Sequence, residues 1–99
     1  MPELTVIWWR DIPAQVAARA AKQRAAVELP ERFQEAIDAA AMRAGLIGTD
    51  TYLEEWRRVA RPCGEDLDAE VEQERARLDA AYDDAVLERL VRADGKEDG

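Results

Sequence analysis

The sequence predicts an α+β fold: a small three-stranded antiparallel sheet packed by two or three helices, with an acidic C-terminal helix. Three observations carry this. A β-branched and aromatic run near the N-terminus needs strand partners, the stretch after it alternates with period two, and beyond residue 30 apolar residues recur at helical spacing. A chain of 99 residues makes one domain. We expect residues 1–93 to form it and residues 94–99 to be a disordered acidic tail. With 36% charged residues, part of the chain should project from the core, and the acidic helix is the segment expected to do so.

Residues 4–10 (LTVIWWR) follow Pro2 and read as strand, because β-branched and aromatic side chains suit a pleated surface. Leu4, Val6 and Trp8 should point one way, and Thr5, Ile7 and Trp9 the other. Such a strand cannot stand alone, since its backbone groups need a neighbour.

Residues 13–29 (PAQVAARAAKQRAAVEL) carry two opposed signals. Alanine content, with Pro13 at a possible first helical position, favours a helix. Against this, Val16, Ala18 and Ala20 alternate with Gln15, Ala17 and Arg19, and Ala25, Val27 and Leu29 alternate with Arg24, Ala26 and Glu28. The first strand's need for partners tips the balance to a hairpin turning near Ala21 and Lys22.

Pro30 and Glu31 open a helix whose apolar stripe is Phe33, Ile37, Ala40, Ala41 and Ala44, with Gly45 suited to end it. Thr51 and Glu54 have capping-box spacing, and Tyr52, Trp56, Val59 and Ala60 predict a second helix halted before Pro62. Glu65, Asp66 and Asp68 suit the positive end of a third, whose stripe of Leu67, Val71, Leu78, Tyr82, Val86 and Leu90 is interrupted by Glu74 and Arg75. Asp83 or Asp84 can recap the chain, so this stretch is one helix or two.

Composition excludes more than it identifies. With no histidine and one cysteine, Cys63, a cysteine/histidine zinc site and Ser-His-Asp or Cys-His catalysis are ruled out. An internal disulfide is ruled out too, and no run approaches the ~20 apolar residues of a membrane span. A cytoplasmic location is the expectation. The net charge is −8. Residues 1–62 hold nine basic and nine acidic side chains, so the whole excess lies in residues 63–99, with five basic and thirteen acidic. That excess argues against nucleic acid and anionic membranes as partners.

Four groups of residues compete for a functional role. Trp8, Trp9, Arg10 and Asp11 either have both indoles covered by helices or a bend, or present one tryptophan with Arg10 to a protein partner. Arg57, Arg58 and Arg61 either line a solvated helix face, paired to Glu54, or form an anion-binding cluster. Cys63 lies near a helix N-terminus, which favours a thiolate, but Glu65, Asp66 and Asp68 oppose that, so a nucleophilic role is not expected. Asp66, Glu70 and Glu74 read as a solvated face rather than a metal site.

The runs WRDIPAQV (residues 9–16), LPERFQEAIDAAAMRAGL (29–46) and DTYLEEWRR (50–58) resemble the small bacterial proteins grouped as "virulence factor", which are similar to a domain of conserved virulence factor C proteins. The resemblance spans about residues 4–90. It brings no catalytic motif. It implies association with tetrahydrofolate and corrinoid methyl-transfer enzymes, and hence an accessory role. The functional expectation is a non-catalytic protein-interaction or accessory subunit that is not an enzyme and needs no cofactor. The alternatives are a small-ligand or enzyme subunit in folate- or corrinoid-linked one-carbon metabolism, and a structural homo-oligomer.

Overall fold

The computed structural model describes residues 1–96. Along the chain run β1 (Glu3–Trp9), β2 (Ile12–Ala20), β3 (Gln23–Glu28), α1 (Glu31–Arg43), α2 (Asp50–Glu54), β4 (Trp56–Pro62), α3 (Leu67–Ala81) and α4 (Asp84–Arg92). The α+β class is as predicted. The sheet is antiparallel with order β3-β2-β1-β4, one strand more than expected.

The hairpin forms where the period-two pattern places it, turning at Ala21 and Lys22. Alanine propensity loses there because pairing to β1 satisfies a whole strand of backbone groups, which an isolated helix could not do. The register shifts between Ile7 and Trp8: Ile7 pairs with Gln15 but Trp8 with Pro13, so Ala14 has no partner in β1. Beyond this bulge Ile12 and Pro13 pair with Trp9 and Trp8, and both are buried.

The helix predicted across Tyr52, Trp56, Val59 and Ala60 is corrected. It stops at Glu54, after an N-cap at Thr49 rather than Thr51; the Thr49 hydroxyl accepts from the Tyr52 N–H. Residues 56–62 instead pair along the whole of β1. The reason is the same accounting that predicted the hairpin. A central strand has two rows of backbone groups, and β2 satisfies one of them.

Leu4, Val6, Val16 and Ala18 form the inner face of the sheet, buried against Phe33, Ile37, Leu67, Val71 and Leu78. α3 lies across β2 and β3, and α1 packs on α4 and β2. The C-terminal stretch is thus two helices, with Asp66 and Asp83 as side-chain N-caps. Its expected projection from the core is also corrected. The Leu67, Val71, Leu78 stripe is buried, as are Leu87 and Leu90 of α4, because an amphipathic face is stabilised mainly by burial.

Residues 94 and 95 of the expected tail contact the fold. Gly95 is buried, its carbonyl accepts from the Asp11 N–H at 2.8 Å, and the Asp94 carbonyl accepts from Arg10 Nη1 at 2.8 Å. The rest of the tail expectation, residues 97–99, lies outside the described residues.

Candidate functional site

Arg10 and Asp11 form the tight turn between β1 and β2, and Arg10 has φ 52°, a region that disfavours side chains. Its guanidinium is pinned. Nη2 lies 3.0 Å from Glu55 Oε1, Nε donates to the same oxygen at 3.1 Å, and the backbone N–H donates to the Glu55 carbonyl. Trp9 is fully buried, and its Nε1 donates to the Tyr52 carbonyl at 3.0 Å. Asp11 pairs with Arg57 at 3.1 Å, and half-buried Trp8 meets Tyr82 edge-on at 6.0 Å.

Trp9 and Arg10 are therefore not the exposed recognition surface considered for them. Strand alternation sends the two indoles to opposite faces, and at this end of the sheet both are met by other elements. Tyr82, at the end of α3, meets Trp8; Tyr52 of α2 and Gly95 close over Trp9.

Arg57, Arg58 and Arg61 do not converge either. They lie on a strand, so Arg58 faces away from Arg57 and Arg61. Arg57 donates to the Arg10 carbonyl and lies 5.5 Å from the Trp8 ring, while Arg61 reaches Glu74 at 3.4 Å. Only Arg58 of the three is left for another task.

Among the described residues Glu74 is the one buried charged residue. It accepts from Arg77 Nε at 3.0 Å and from Arg61, which ties α3 to the β4 edge. Hydrogen bonding to Arg77 holds its carboxyl below the ordinary glutamate value, against the opposing effect of burial. The solvated face expected of Asp66, Glu70 and Glu74 thus fails at Glu74, which occupies the apolar stripe. Burial first, then the Glu70 carboxylate, push the Cys63 thiol above its ordinary value. Such a thiol is a poor nucleophile at neutral pH.

The candidate surface that the sequence did not single out is the outer face of the sheet. Register places Glu3, Arg19 and Arg24 in one row, Thr5, Ala17, Ala26 and Ala60 in the next, and Ile7, Gln15, Glu28 and Arg58 in a third. Every one of these side chains is exposed or half-buried. The signal was present in the alternation of Gln15, Ala17, Arg19 and of Arg24, Ala26, Glu28. It marked an outward face but did not say that β4 would extend it.

Among the described residues no group of three or more histidine, cysteine, aspartate or glutamate residues could hold a metal ion, and no helix is long and apolar enough to cross a membrane. A model of the family described as "Virulence factor" matches residues 7–91. Neither the search of curated proteins nor that of solved structures returned a match.

Proposed function

The chain belongs to the Virulence factor family, and we propose that it acts as a non-catalytic accessory subunit that meets a protein partner through the outer face of its sheet. The observation that carries this is the chemistry of that face. A solvated antiparallel face ordinarily alternates toward polar residues. Here Thr5, Ala17, Ala26 and Ala60 make a central row of small side chains, and Ile7 and Trp56 stay half-exposed at one end. Small side chains beside an aromatic anchor suit contact with another protein. The pinned turn, the buried Trp9 and the elevated Cys63 thiol supply scaffold rather than reactive groups.

The test is co-purification from native extract combined with Ile7→Glu, which places a charge on the outer face. A stoichiometric partner should be captured by the parent chain and lost from the folded variant. A partner retained by Ile7→Glu, or a chain that recovers none, removes this reading.

A further inference from the structure

Among the described residues, every arginine is engaged by a neighbouring group except Arg19, Arg24 and Arg58. Those three line a single trough on the outer face of the sheet. Scarcity of acids is not the reason, because the chain has 22 acidic side chains against 14 basic ones. Glu3 stands directly opposite Arg19 across β1 and β2, yet no ion pair joins them. Arg19 and Arg24 are themselves partners across β2 and β3. Like charges directly opposite each other destabilise a sheet, and with Glu3 the one carboxylate on the lining against three arginines, the trough keeps a positive excess that an anion would neutralise. Ala17, Ala26 and Ala60 floor the trough, and their small side chains leave a volume of about 460 Å³.

We propose that this trough docks an acidic segment of a partner protein, its carboxylates pairing with Arg19, Arg24 and Arg58 and its backbone lying over the alanine floor. The inference rests on the function proposed above and specifies the partner's chemistry. Arginine forks match carboxylates bidentately. The trough is shallow and spans all four strands, whereas small-ligand sites enclose most of their ligand. No aromatic side chain lines the trough to stack a base, which opposes a single-stranded nucleic-acid occupant.

The probe is a fluorescein-labelled peptide of six alternating glutamate–alanine pairs, with a glutamine–alanine peptide as its neutral counterpart. Anisotropy titrations at about 50 mM and about 150 mM salt separate charge pairing from other contacts. The acidic peptide should bind, more weakly at the higher salt, and the neutral one should not. Combining Arg19→Gln, Arg24→Gln and Arg58→Gln should weaken binding by at least about tenfold. Arg92→Gln, which removes only an exposed pair with Glu88, should leave it unchanged. Arg24→Gln alone should melt no lower than the parent, so lost binding would not be unfolding.

No binding of the acidic peptide, or equal binding by the triple variant, overturns the proposal. Displacement of the peptide by citrate at concentrations below the peptide's own Kd would assign the trough to small anions instead. Self-association that the triple variant loses would assign it to a second copy of the chain. A native partner still retained by the triple variant defeats this inference but leaves the proposed function standing. Recovery of no native partner defeats that function instead.

Discussion

Gly95 sits against the indole of Trp9 so closely that a Cβ at position 95 would lie 2.8 Å from Trp9 Cζ3. The backbone at Gly95 has φ 87°, so both space and conformation require glycine there. The contact joins the end of the chain's last helix to the end of its first strand, and it closes the face that Trp9 would otherwise expose.

Gly95→Ala should therefore destabilise by about 2 kcal/mol, through strain and displacement of a buried ring. Thermal unfolding should show a midpoint lowered by roughly 10 °C for a domain of this size. Trp9 fluorescence should shift toward that of a wetter indole. An unchanged midpoint would mean that residues 94–96 do not dock.

Arg10 holds a disfavoured backbone conformation because Glu55 and the Asp94 carbonyl grip its side chain. Replacing it with alanine removes the grip and keeps the strain, at a cost of about 2 kcal/mol. Arg10→Lys should recover only part, since an ammonium cannot serve both partners with one planar fork. Chemical denaturation of the three proteins in parallel gives the ranking, and equality of lysine and arginine would refute the geometry.

Glu74 makes stability depend on acid. Its carboxyl is held below the ordinary glutamate value, so the stabilisation is fully present above that value and is lost as pH falls through the lower folded one. Glu74→Ala should cost about 1 kcal/mol, a modest figure because Arg61 and Arg77 are each more than half exposed and can be solvated. Glu74→Leu completes the stripe between Val71 and Leu78 and should be neutral or stabilising. Both variants should flatten the acid limb of a stability–pH curve; a limb identical to the parent's would show that Glu74 is not ionised in the fold.

The Cys63 thiol is raised by burial and by Glu70, so alkylation by iodoacetamide at pH 7 should run slower than for a free cysteine and accelerate as pH rises past the ordinary thiol range. Glu70→Gln should speed it. The purified chain should show no hydrolase or transferase turnover, and turnover abolished by Cys63→Ser would overturn the non-catalytic reading.

Much of the fold was legible because strands and helices advertise different periods. Alternation across residues 15–29, with the first strand's need for partners, favoured the hairpin against alanine's helical preference, and of the two possible recaps, Asp83 and Asp84, the structure uses Asp83. β4 was not legible. Tyr52, Trp56 and Val59 fit helical spacing, and nothing local says that β1 has a second row of backbone groups to satisfy. Helical spacing would gather the arginines of residues 57–61, which a strand divides.

The sequence by itself determined the α+β class and the absence of histidine chemistry and favoured the hairpin, because these follow from periodicity, the pairing needs of the first strand and composition. Only the tertiary structure decided that Trp9 is buried and Arg10 pinned to Glu55, that Glu74 lies inside an apolar stripe, and that Arg19, Arg24 and Arg58 share one face. Each of those depends on which strand lies beside which, a choice made by long-range backbone pairing and burial rather than by any window of neighbouring residues.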